Sequence, residues 1–105
     1  MNIFSALAEP NRRTIVEMLA RNGPLSATEI SARFPVSPPA ISQHLKVLKA
    51  AGLVMVRAEG TRRLYAVDTR GVAAMRNWLD GFWDKTLVAF KNAAEREAVK
   101  ERKSR

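Results

Sequence analysis

SATEISARFPVSPPAISQHLKVLKAAGL, residues 26–53, reads as two short helices with a tight break between them. Ser26 opens the first and Glu29 follows three residues later, the spacing at which the two side chains cap each other's backbone N–H groups. Ile30 and Phe34 stand four apart and so share a helical face, and Pro35 ends the segment. Ser37 caps a second helix whose first turn holds Pro38 and Pro39, where a missing N–H costs little. Ile41, Leu45 and Leu48 form its apolar stripe, and Gly52 closes it. At about 100° per residue, Pro39, Gln43, Lys46 and Ala50 lie opposite that stripe. Ser42 and Lys49 flank it on one side, Ala40 and Val47 on the other. A helix held to a core by one side, with hydrogen-bonding and basic groups on the other, suits a DNA groove.

Working outward, Ile3 to Ala8 is an apolar opening of one or two helical turns. Glu9-Pro10-Asn11 starts a further helix with Ile15, Val16, Met18 and Leu19 on its apolar face, and Asn22-Gly23-Pro24 stops it. Past Leu53 the period changes. Val54, Val56, Leu64 and Ala66 alternate on either side of Glu59-Gly60-Thr61, a hairpin signal flanked by Arg57, Arg62 and Arg63. After Asp68 and Gly71 a long helix begins, with Val72, Met75, Leu79, Phe82, Trp83, Thr86, Leu87 and Phe90 recurring at threes and fours. From Glu95 the chain is mostly charged, and a frayed end is expected after Lys100. Helices followed by a two-stranded wing and a last helix define the expected fold class: mainly α with a small β-hairpin wing, a winged helix-turn-helix. Residues 1–94 form its DNA-binding and dimerisation domain, and 95–105 a charged tail.

A chain of 105 residues, 47% apolar, makes one domain with a modest core. Eighteen Lys and Arg against ten Asp and Glu give a net charge of +8, which favours nucleic acid or an acidic membrane surface as partner. Charge alone fits a solubility role equally well. There are no cysteines, which excludes disulfides, thiolate metal sites and cysteine catalysis. MNIFSALAEPNRR does not resemble a signal peptide, and no apolar run approaches the ~20 residues of a membrane span. A cytoplasmic location without membrane contact is expected. His44, the one histidine, borders the apolar stripe and reads as a partly buried packing or hydrogen-bonding residue rather than a ligand or base; alone it cannot build a metal site. No Gly-rich phosphate loop or Ser/His/Asp set can be assembled, and Asp80 with Asp84 reads as a surface carboxylate pair. No catalytic residue, cofactor or metal is expected.

Three blocks also look familiar together: ALAEPNRRTIVEML near the start, VSPPAISQHLKVLKAAGLV in the middle and RAEGTRRLYAV after it. In that order and spacing, over roughly Ala6 to Val67, the chain resembles the ArsR/SmtB family of bacterial and archaeal repressors. The resemblance implies a homodimeric winged-helix repressor of small operons with the Ser37–Ala51 helix in the major groove. Many members sense metals through a cysteine pair in the helix corresponding to Ser26–Phe34, or through Asp and His ligands in the last helix. Here the first segment has no cysteine, and the last helix has Asp80 and Asp84 but no histidine. The resemblance therefore carries over DNA binding and dimerisation but not metal sensing. Trp78, Leu79, Phe82 and Trp83 are similar to the aromatic last helix of members without a metal site.

The expected partner is double-stranded DNA. Pro38, Pro39, Ala40, Ser42 and Gln43 sit at the N-terminal part of the recognition helix, the part that reaches bases. Gln43 is the chosen base reader, because its amide can pair bidentately with adenine. Ser37 and the helix N-terminus it caps could hold a phosphate. Lys46 and Lys49 are expected as phosphate clamps, and Arg62 and Arg63 along the backbone or in the minor groove beside the wing. A solvated helix face is the bland account of Lys46 by itself; Gln43, Lys49 and the wing arginines tip the balance. A non-specific architectural protein and a purely protein-binding winged helix are the competing functions. The second expected partner is another copy of the chain. Trp78, Leu79, Phe82, Trp83 and Leu87, joined by Ile3, Phe4 and Leu7, exceed what a small core can cover and are assigned to a dimer interface. The alternatives are ordinary core or a pocket for an unknown small-molecule effector.

Overall fold

Each of the first four helices begins where a side chain takes up a free backbone N–H. In the computed structural model, which describes residues 2–103, Asn2 accepts from the Ser5 N–H at 2.7 Å to start α1 (Ile3–Ala8). Glu9 accepts from the Arg12 N–H at 2.9 Å to start α2 (Pro10–Asn22), with Pro10 at its first position. Arg12 also reaches back to donate to the carbonyls of Ala6 and Ser5, at 2.6 and 3.4 Å, capping the end of α1. Gly23, at φ 79°, closes α2.

Leu25–Ser26 is a two-residue strand, β1, that sequence periodicity did not reveal. Ser26 doubles as the cap of α3 (Ala27–Ala32), and the full capping box is present: the Glu29 N–H donates to Ser26 Oγ, and the Ser26 N–H to Glu29 Oε1, both at 3.2 Å. The helix stops earlier than Pro35 suggested. The Arg33 N–H turns to the Ile30 carbonyl at 3.1 Å, so Phe34 lies beyond the helix rather than one turn along it. Ile30 is fully buried and Phe34 still packs on the core. Ser37 then caps α4 (Pro38–Ala50), whose Ile41, Leu45 and Leu48 are buried as expected.

The wing is β2 (Val54–Glu59) and β3 (Arg62–Val67), joined by Gly60 and Thr61. Gly60 has φ 64° and Thr61 does not share the positive φ, as in a type II′ turn. The sheet has three antiparallel strands in the order β1-β3-β2, so β1 fastens the wing's base through Leu25↔Tyr65 and Ser26↔Leu64. Opposed residues share a face: Val54, Val56, Tyr65 and Val67 turn one way, and Leu64 and Ala66 the other. Leu25 and Val54 join Ala6, Ile15, Met18, Leu19, Ile30, Ile41, Leu45, Leu48 and Leu53 in the core.

The last helix, α5 (Thr69–Lys103), begins two residues before Gly71 rather than after it. Asp68 is the reason: its carboxylate accepts the Arg70 N–H at 3.1 Å and the Arg70 guanidinium at 3.3 Å, while its own N–H donates to the Leu53 carbonyl at 2.9 Å. The Arg70 contacts, the guanidinium first and then the backbone N–H, hold the Asp68 carboxyl below its usual value. The helix passes unbroken through residues 94 and 95, where the sequence suggested the domain's end. The chain divides into two compact units, one closing at Ala73 and the other beginning at Ala74. The final stretch of the expected frayed tail, residues 104–105, lies outside the described residues.

Candidate nucleic-acid interface

Burial of Ile41, Leu45 and Leu48 fixes the roll of α4 about its axis, and the opposite face follows from it. Ser37, Pro38, Pro39, Ser42, Gln43, Lys46 and Lys49 are all exposed, and Ala40 is half-buried. Ser37 Oγ accepts the Ala40 N–H at 3.4 Å, so this hydroxyl works first as a helix cap. Lys46 and Lys49 have no acidic partner among the described residues, which leaves both ammonium groups free for an outside anion.

A shallow groove runs between α3 and the start of α4, lined by Ala27, Thr28, Ser31, Ala32, Pro38 and Ser42. Thr28 and Ser31 were not among the sequence-expected residues. Their only signal was that two hydroxyls three apart fell outside the apolar stripe of α3. Beside Ser42 they add hydrogen-bonding groups suited to phosphate oxygens.

The wing separates its two tip arginines. Arg62 opposes Glu59 and Arg63 opposes Ala58, so neighbouring side chains leave opposite faces of the hairpin. The Arg62 guanidinium donates to Glu29 Oε1 in an ion pair with α3. Arg57 pairs within the wing with Glu59 at 3.8 Å, whereas Arg63 has no acidic partner among the described residues. The Glu29 carboxyl is held below its usual value by hydrogen bonds from the Ser26 backbone and hydroxyl, then by the charges of Arg62 and Arg33.

His44 is a packing residue with 17% of its side chain exposed. Its Nδ1 is buried without a hydrogen bond, 3.8 Å from Glu9 Oε2. Among the described residues no cluster of three or more His, Cys, Asp or Glu could hold a metal ion. No helix among them is long and apolar enough to cross a membrane.

The residues assigned to a second copy fall into two groups. Ile3 and Leu7 pack partly on the chain's own core, while Phe4 is exposed. In α5, Trp78, Leu79, Phe82, Trp83 and Leu87 are all exposed, Trp83 at 54% and Leu87 at 58%. Trp78 stacks on Phe82 with ring centroids 5.4 Å apart, and Trp83 meets Phe82 edge-on at 5.8 Å.

A helix-turn-helix domain family matches residues 7–57. The chain is 50% identical over 94 residues to the HTH-type transcriptional regulator Rv2034 of Mycobacterium tuberculosis, covering 90% of this chain and 87% of that one. It is 33% identical over 84 residues to the transcriptional repressor SdpR of Bacillus subtilis, covering 80% and 92%. Among solved structures, it is similar to the homodimeric winged helix-turn-helix DNA-binding domain Mb0332 of Mycobacterium bovis, described as a possible ArsR-family transcriptional regulator. That match has 31% identity and a TM-score of 0.62 over 76% of this chain and 73% of that one.

Proposed function

Because this chain belongs to the ArsR family of DNA-binding transcriptional regulators, and is no enzyme, we propose that it works as a homodimeric repressor of an inverted-repeat operator. The observation that carries the reading is the outward face of α4. Its stripe is buried to the last residue, while Ser42, Gln43, Lys46 and Lys49 stand exposed with no competing partner for the lysines among the described residues. In this reading α4 of each copy enters the major groove, with half-sites roughly 34–36 Å apart. Gln43 reads an adenine through its amide, and Pro39 and Ala40, beside Pro38 at the helix start, offer apolar contact to a thymine methyl. Ser42 bonds either a base edge or a phosphate. Lys46 and Lys49 hold phosphates, as does the N-terminus that Ser37 caps. The wing brings the positive charge of Arg62 and Arg63 alongside the duplex.

Repression is supported by the name of the similar SdpR, and homodimerisation by the assembly of Mb0332 together with the exposed aromatic stripe of α5. Metal sensing is left out of the proposal because the chain has no cysteine and one histidine, which packs against α2's cap.

Selecting sites from a random duplex pool at ~150 mM salt tests this directly. The expected product is a palindrome whose half-site spacing matches one helical turn, bound more than ~10³-fold tighter than bulk DNA. Gln43→Ala should then relax the preference at one base pair per half-site at a cost of about 1–3 kcal/mol, and Lys46→Ala should weaken all sequences alike. A selection that enriches nothing would favour an architectural protein instead.

A further inference from the structure

We infer that Arg62 is a positioning residue that holds the wing to α3 through Glu29, leaving the wing's phosphate contact to Arg63. The inference rests on the DNA-binding reading above and assigns different tasks to two arginines that are adjacent in sequence.

Register supplies the first reason. Arg62 and Arg63 leave opposite faces of the hairpin, so one strand of DNA cannot engage both in the same way. Their partners supply the second. Arg62 is already paired with Glu29, and Arg63 is free of any carboxylate among the described residues. The third is how Glu29 is held. Its Oε1 accepts the Ser26 N–H while its own N–H donates to Ser26 Oγ, so the carboxylate is fixed before Arg62 arrives. An exposed ion pair usually gains little because two long side chains must be ordered; here one of them is ordered by the capping box already.

Strand pairing explains why the wing needs this tie. β1 pairs with β3 only at Tyr65 and Leu64, so beyond Leu64 towards Gly60 the hairpin has, among the described residues, no neighbour strand but its own partner. Arg62 lies two residues beyond the last β1 pair, and Glu29 lies one turn along the helix that Ser26 opens. The ion pair continues by side chains the fastening that the strands begin by backbone. It also neutralises a carboxylate that would otherwise face the duplex and repel phosphates.

The test compares Arg63→Ala, Arg62→Ala and the double variant Arg62→Ala/Glu29→Gln with the parent chain. Glutamine at position 29 keeps the capping box, and the double variant keeps the parent's net charge. Binding to a mixed-sequence duplex of about 40 base pairs is measured from about 50 to 200 mM salt. Arg63→Ala should lower the slope of log affinity against log salt by about 0.9 for each phosphate that Arg63 neutralises. The double variant should keep the parent slope while its affinity falls about two- to fivefold. A double variant whose slope falls as Arg63→Ala does would overturn the assignment, since Arg62 would then bind phosphate itself. Amide exchange without DNA gives the second readout: Arg62→Ala should speed exchange in residues 58–63 and Arg63→Ala should not. Unchanged exchange in Arg62→Ala would overturn it as well. A parent chain that failed to bind the duplex would sink the DNA-binding reading, and the exchange comparison would still decide the role of Arg62.

Discussion

Gly71 lies in the first turn of α5, and a Cβ built there would run into the Gly52 carbonyl, 2.8 Å from its carbon. Gly52, at φ 78°, is the residue past the cap of α4, so the close approach joins the end of the recognition helix to the start of the last one, backbone against backbone. Backbone cannot swing aside as a flexible side chain can. Gly71→Ala should therefore destabilise the first unit by about 1–3 kcal/mol or more, and should disturb α4 as it does so. Gly81, also inside α5, has open space around its missing Cβ. Gly81→Ala should stabilise its helix by about 0.5–1 kcal/mol. Thermal melts of the two variants check the pair, and shifts of the same sign would refute the packing account of Gly71. In the sequence both residues are only glycines in a helical pattern. Gly71 accordingly read as a helix boundary, because the carbonyl that requires it comes from a segment about twenty residues away.

Among the elements, those that announced themselves carry their signals locally. Ser-x-x-Glu before α3 and Ser-Pro-Pro at the start of α4 place chemistry within one turn of what it caps, and both caps are present in the structure. β1 was not legible: two residues have no period, and Leu25 becomes a strand residue only when Tyr65 lies beside it. The Glu29–Arg62 pair spans 33 residues, so Glu29 could be read as a cap but not as the anchor of the wing. Its double duty gives α3 a pH signature. Ser26, then Arg62 and Arg33, hold the Glu29 carboxyl below its usual value, so the ionised form favours the folded state. Its contribution is fully present above the ordinary glutamate value of about 4.3 and is lost as pH falls through the lower folded value. The stability advantage of the parent over Glu29→Gln should therefore shrink as thermal melts move from about pH 7 to about pH 3. A gap that stayed constant would mean that the Glu29 charge does not support α3.

For the whole molecule, the proposed reading joins a surplus of positive charge to a surplus of apolar surface. The chain carries +8, and Lys46, Lys49 and Arg63, without an acidic partner among the described residues, place part of that charge around α4 and the wing. α5 meanwhile exposes Trp78, Phe82, Trp83, Leu87 and Phe90, far more apolar surface than scattered exposed side chains would explain. In the proposed dimer, a second copy laid on that stripe would bury the aromatic rings and present two recognition helices at once. One half-site then holds the other at an effective concentration near millimolar, which raises the combined affinity about 10²- to 10⁴-fold over one copy. The two surpluses are thus linked: removing the apolar one should weaken DNA binding without touching a basic residue. Phe82→Ala/Trp83→Ala should give a monomer by light scattering, with operator affinity lower by about 10²-fold or more. The first unit ends at Ala73, so circular dichroism should show its melt retained, which separates lost assembly from lost folding. A double variant that remained dimeric would refute the α5 interface. One that became monomeric yet bound the operator as tightly as the parent would refute the link between assembly and affinity.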